Sequence, residues 1–126
     1  MDISFTDREL DVMAVLWRKG SGTVAEVRDA LDDSFAYTTV LTVLRTLEEK
    51  GFVTHLAEGK AHRYLPAVTP ALAGKSALSR VLDKIFSGSP EMLLTQLVSD
   101  RDLSESDIRR LRKLLDERLA KSREER

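Results

Sequence analysis

A mostly α-helical chain with a single β-hairpin is predicted by three features of the 126-residue sequence. Six stretches space their apolar residues as one face of a helix does, near i, i+3, i+4 and i+7, and most open on a capping signal. One pair of short segments, 52–56 and 61–65, flanks a glycine turn and reads as two strands. The prolines, Pro66, Pro70 and Pro90, all stand at segment boundaries, where a missing N–H costs little. Composition fits a folded, water-facing chain: 42% hydrophobic residues supply enough apolar surface to offset the entropy of ordering. The longest apolar run, Val12 to Trp17, is far too short for a membrane span, and the chain opens on Asp2 rather than a basic flank. A cytoplasmic protein without signal peptide or anchor is expected. The absence of cysteine excludes disulfides, thiolate metal sites and cysteine nucleophiles.

Thr6-Asp7-Arg8-Glu9 forms a capping box, in which the Thr6 hydroxyl and the Glu9 carboxylate satisfy each other's orphan backbone donors. Leu10, Met13, Ala14 and Trp17 then make an inward stripe, and Gly20 closes the first helix. The second starts at Thr23 with Glu26 three residues on, turns Val24, Val27 and Leu31 inward, and dissolves into Asp32-Asp33-Ser34. A third runs from about Tyr37 to Lys50, with Val40, Leu44 and Leu47 inward and Gly51 as its stop. Its outer face carries Thr38, Thr39, Thr42 and Thr46 beside Arg45. β-branched residues on an exposed helix face lower its intrinsic stability, which points to a functional reason. Segments 52–56 and 61–65 follow as strands, with Ala57-Glu58-Gly59-Lys60 as the turn.

Three short helices followed by a hairpin are the element order of a winged helix-turn-helix, here expected over residues 1–68. In that arrangement the third helix enters a major groove and the hairpin lies along flanking phosphates. Charge supports this placement. Residues 1–34 carry four basic and eight acidic side chains, whereas 35–66 carry four basic and three acidic, so the balance moves from −4 to +1. Threonine hydroxyls bond phosphates or base edges, and Arg45 can either fork onto guanine or pair with Glu48 or Glu49. Lys60, His62 and Arg63 are the candidate phosphate contacts of the wing. His55 and His62 lack a third ligand at metal-binding spacing, so no metal and no cofactor are expected. Trp17, Phe52 and Tyr64 read as packing residues.

Residues 69–126 predict three more helices. Thr69-Pro70 opens one with Leu78, Leu82, Ile85 and Phe86 on a ridge, and Ser89-Pro90 opens a second with Leu93, Leu94, Leu97 and Val98. Ser104 with Asp107 caps a third, striped by Ile108, Leu111, Leu115 and Leu119, and the charged tail from Lys121 to Arg126 is expected to fray. Nothing within so short a segment covers all these apolar faces, so a second copy of the chain is the economical partner. Leu78, Leu82, Ile85, Leu93, Leu97, Ile108, Leu111, Leu115 and Leu119 are the candidate dimerisation residues. The basic run Arg109-Arg110-Leu111-Arg112-Lys113 reads as solvated helix surface.

Glu9-Leu10-Asp11-Val12-Met13 with Leu16-Trp17, then Tyr37-Thr38-Thr39-Val40 with Thr42, Leu47 and Lys50-Gly51, resemble the penicillinase-repressor family of winged-helix regulators over nearly the whole chain. The resemblance implies a homodimeric repressor on a palindromic double-stranded operator of a resistance or stress-response operon, with Thr39 and Thr42 facing the groove and Glu58-Gly59-Lys60 as the wing turn. Leu41 stands where some members place an arginine. Antibiotic-responsive members are inactivated by a regulatory protease at an Asn-Phe bond that aligns with Gln96-Leu97, and this chain differs at both residues. Copper-sensing relatives with Cys-x-Cys elements are excluded by the lack of cysteine.

These observations predict a sequence-specific DNA-binding repressor with no catalytic activity, since paired carboxylates, a Ser/His/Asp set and a phosphate-cradling glycine loop are all missing at usable spacing. The acidic first 34 residues support one rival, a winged-helix module that binds protein without sequence-specific DNA binding. A repressor gated by a small ligand between the C-terminal helices ranks lower, because their apolar faces hold few polar residues.

Overall fold

The computed structural model describes residues 3–100 and 102–125; Asp2 and Arg126, which figure in the sequence reading, lie outside them. The chain divides into two compact units, residues 1–80 and 81–126. Unit one runs α1 (Asp7–Lys19), β1 (Gly22–Thr23), α2 (Val24–Ala30), α3 (Tyr37–Glu49), β2 (Val53–Glu58) and β3 (Ala61–Pro66), and includes most of α4 (Pro70–Lys84). The end of α4, α5 (Pro90–Asp100) and α6 (Glu105–Glu124) make unit two. The mostly helical winged helix-turn-helix expected from the sequence is what forms.

The Thr6 capping box is complete, and Gly20, at φ +87°, ends α1 with its N–H on the Leu16 carbonyl at 2.7 Å. The inward face differs from the expected stripe. Val12, Met13, Val15 and Leu16 are buried, whereas Leu10 and Ala14 are exposed and Trp17 is half-buried. Residues 12 to 17 are apolar all round the helix, so periodicity left the phase open and a second packing surface decided it. Trp17 donates its indole N–H to the Val68 carbonyl at 2.8 Å, on the side where Phe5 stands edge-on to its ring.

The sheet has three antiparallel strands in the order β1-β3-β2, one more than the hairpin predicts. Strand β1 is two residues long, too short for any alternation to show, with Gly22 opposite Tyr64 and Thr23 opposite Arg63. A Cβ on Gly22 would lie 3.0 Å from a Val27 methyl, so the close approach of β1 to α2 favours glycine there. The hairpin strands extend beyond the expected limits: Ala57 and Glu58 pair with His62 and Ala61, and the loop shrinks to Gly59 and Lys60. Gly59, at φ +60°, takes the first loop position, the glycine-first pattern of a type II′ turn.

Val40, Leu44 and Leu47 of α3 are wholly buried against Val12, Met13, Leu16, Val27 and Tyr64, as the stripe predicts. The core also contains a charge. Glu9 is 4% exposed; one carboxylate oxygen accepts the Thr6 N–H at 2.8 Å, and both receive the Lys50 ammonium at 2.9 and 2.8 Å. Burial alone would raise its pKa, but the Lys50 and Thr6 hydrogen bonds more than offset this and hold the carboxyl below its ordinary value of 4.5. The beginning of α1 is thereby pinned to the end of α3.

In unit two, the Ser104–Asp107 capping box is present, and α6 continues to Glu124 where fraying was expected from Lys121. Lys121 and Arg123 complement the helix dipole in its last turn, and Arg118 donates to the Ser122 hydroxyl at 2.8 Å. Neither α5 nor α6 has a buried residue.

Replacing Glu9 by alanine removes a cap and a charge-assisted bond, and should destabilise the protein at pH 7 by about 1.5–3 kcal/mol. Because the native pKa is depressed, this contribution is complete above the unfolded value and disappears as pH falls through the native one. Thermal melts from pH 7 to 3 should therefore show the wild-type advantage shrinking below about pH 4; a constant gap would mean that the ion pair contributes nothing.

Candidate nucleic-acid interface

The face of α3 opposite Val40, Leu44 and Leu47 presents Thr38, Thr42 and Arg45 to solvent, with Thr39 and Thr46 half-buried at its margins. Thr46 donates its hydroxyl to the Thr42 carbonyl at 3.0 Å, which occupies its proton and leaves its oxygen lone pairs outward. The ion pair weighed for Arg45 does not form among the described residues. Glu48 turns instead to the wing, where its carboxylate lies 2.5 Å from Nδ1 of His55. Arg45 therefore stands beside the threonines with its fork open.

Between α3 and the wing lies a cleft of about 260 Å³, lined by Tyr37, Leu41 and Arg45 of α3, Lys60, Ala61, His62 and Tyr64 of the hairpin, and Thr23, Val24 and Ala25 at the start of α2. Three basic side chains converge on it from two elements, and none of its lining residues is acidic. Within described residues, neither Arg45 nor Lys60 takes part in an ion pair. The sequence reading missed Tyr37 as a lining residue. Its ring lies 5.9 Å from the Arg28 guanidinium, a contact between helices that no local pattern announces.

Strand alternation sorts the wing residues. Paired positions His55↔Tyr64 and Ala57↔His62 put His55, His62 and Tyr64 on one face of the hairpin, where the two imidazoles stack at 4.3 Å and 13°. Pairs Leu56↔Arg63 and Glu58↔Ala61 put Arg63 on the opposite face. The expectation that Lys60, His62 and Arg63 form one rail therefore meets a different geometry. Arg63 is bonded to Glu58 and Glu26, whose carboxylates raise its pKa, and Glu58 and Arg63 are diagonal neighbours in the hairpin register. Glu26, three residues after Thr23, gives its backbone N–H to that hydroxyl; its carboxylate bonds Arg63 instead, and this hydrogen bond lowers the pKa of Glu26.

In unit two, Leu78, Ile85, Leu97, Ile108, Leu115 and Leu119, with Leu78 falling just before its boundary, remain exposed, and Leu82, Leu93 and Leu111 are half-buried. Ile85 is 67% and Leu115 57% exposed, so the described residues leave these apolar ridges uncovered. Gln96 and Leu97 lie inside α5, with the Gln96 amide bonded to the Asp100 carboxylate.

A family model described as penicillinase repressor matches residues 5–117. The penicillinase repressor of Bacillus licheniformis is 26% identical over 121 residues, covering 94% of each chain. The transcriptional regulator BlaI of Mycobacterium tuberculosis is 44% identical over 63 residues, about half of each chain (48% and 46%). Among solved structures, the DNA-binding domain of the repressor BlaI superposes with a TM-score of 0.51 at 30% identity, covering 56% of this chain and 89% of that one.

Proposed function

We propose that this chain, which belongs to the penicillinase repressor family of DNA-binding transcriptional repressors, acts as a homodimer on a two-fold symmetric operator. One observation carries the reading: the hydroxyl-rich face of α3 and the open Arg45 fork adjoin a cleft that Lys60 and His62 enter from the wing. Thr38, Thr39, Thr42, Arg45 and Thr46 meet base edges or adjacent phosphates in the major groove, and Lys60 and His62 meet the flanking backbone. Repression is steric, through occupation of a promoter, and the regulated operon serves resistance or a stress response. The exposed leucine and isoleucine ridges of the C-terminal helices pair with those of a second copy, which sets the spacing of the two α3 helices at about one helical turn of DNA or a multiple. A regulatory protease acting at Gln96–Leu97 would first have to open α5, whose backbone there is hydrogen-bonded.

Arg45 and Lys60 from each copy put four cations at the proposed interface of a dimer, which gives an expected slope of log K against log salt near −3.6, or roughly a hundredfold weakening between 50 and 200 mM salt. Titrating promoter DNA at several salt concentrations checks this, and a flat response would remove phosphates from the proposal. Thr39→Ala combined with Thr42→Ala should lower the preference for that promoter over scrambled duplex by about ten- to a hundredfold, leaving non-specific binding in place; an unchanged footprint would remove α3 from the groove. Leu111→Glu with Leu115→Glu should convert a dimer to a helical monomer in sedimentation equilibrium. Wild-type protein that is already monomeric at tens of micromolar would overturn the dimer.

A further inference from the structure

Arg63 was the most natural phosphate ligand of the wing, and its hydrogen bonds leave it no means of acting as one. A guanidinium has five N–H donors and no acceptor. Nε and one Nη2 proton reach the two oxygens of Glu58 at 3.1 and 2.9 Å. The other Nη2 proton and one on Nη1 reach the two oxygens of Glu26 at 3.0 Å each, and the last Nη1 proton reaches the Ser21 hydroxyl at 3.2 Å. All five donors are spent, and the two carboxylates leave the cluster with a net charge of −1. Such a cluster does not attract a phosphate.

Its members come from separate parts of unit one. Glu26 lies on α2, Glu58 at the end of β2, Arg63 on β3, and Ser21 just before β1. Beyond the Glu48–His55 contact and the buried Tyr64 at its base, the outer hairpin has no apolar packing on β2, since every β2 residue after Val53 is exposed, Leu56 to 61%. A two-stranded ribbon without an apolar partner is marginal in water. We propose that Arg63 is a positioning residue that latches the wing to α2, fixing where Lys60 and His62 stand relative to α3. This rests on the reading of the cleft as a DNA-binding surface. The fork geometry is essential to it: lysine, with three donors on one atom, retains the charge but cannot bridge two carboxylates side by side.

The test uses full-length wild type, Arg63→Lys and Glu26→Gln, with thermal melts as the check that each variant folds. Backbone ¹⁵N relaxation of the free protein reports on Gly59 and Lys60. The latch predicts order parameters near 0.85 in the wild type and below about 0.6 in both variants. Fluorescence titration with promoter DNA should show Arg63→Lys binding about tenfold more weakly. Glu26→Gln should also weaken binding, although it removes a negative charge from the neighbourhood. A phosphate ligand predicts the reverse: near wild-type affinity for Arg63→Lys, tighter binding for Glu26→Gln, and wing-tip amides as ordered as before. Either ordered amides or retained affinity in Arg63→Lys overturns the proposal. Wild-type protein that prefers promoter DNA no more than scrambled duplex would sink the reading of the cleft instead, and the amides would still decide for or against the latch.

Discussion

Two backbone directions are set by the carboxylate of Glu9. As the third residue of α1 it closes the capping box with Thr6, and as the partner of Lys50 it holds the residue that caps the C-terminus of α3. A carboxylate so nearly enclosed is costly without partners, and here one oxygen accepts two hydrogen bonds and the other accepts one. The consequence is geometric. Val40, Leu44 and Leu47 alone would let α3 slide along an apolar core, since hydrophobic contact is not directional. The ion pair fixes its axial position, while the buried stripe of Val40, Leu44 and Leu47 sets which side of the helix carries the threonines outward.

The wing is referred to the same helix by a different set of contacts. On one face of the hairpin, His55 meets Glu48 of α3 and stacks on His62; on the other, Arg63 joins Glu58 to Glu26 of α2. Tyr64 is buried between α3 and the sheet, where exclusion of water raises its pKa. Polar contacts flank the hairpin where no apolar core reaches it. The acidic side chains near the cleft are accordingly engaged: Glu48 by His55, and Glu26 and Glu58 by Arg63. This leaves Arg45 and Lys60 as the charges that colour the potential of the cleft, despite a chain charge of −1.

Unit two poses the opposite problem. Its helices are well capped and show strong apolar ridges, yet α5 and α6 bury nothing fully. Local rules suffice to form these helices, and the hydrophobic free energy available to them is largely unspent within one chain.

Much of the architecture was legible because helix starts, stops and stripes are short-range: the boxes at Thr6 and Ser104, the caps at Thr69 and Ser89, and the buried Val40, Leu44 and Leu47 all follow from residues within two turns of one another. The threonine face of α3 was visible for the same reason. What escaped depended on residues far apart in the chain. The phase of α1 was decided by Phe5 and Val68 packing on a helix with apolar residues all round it, and β1 exists only because β3 is there to pair with it. Arg63 looked like a free cation among the residues of its own strand; the carboxylate that changes its role lies 37 positions away. The sequence by itself determined the elements and their polarity, because those are set by backbone hydrogen bonding and periodicity within a few residues. Only the tertiary structure decided which charges remain free to meet a partner, because an ion pair depends on distance in space and not on distance along the chain.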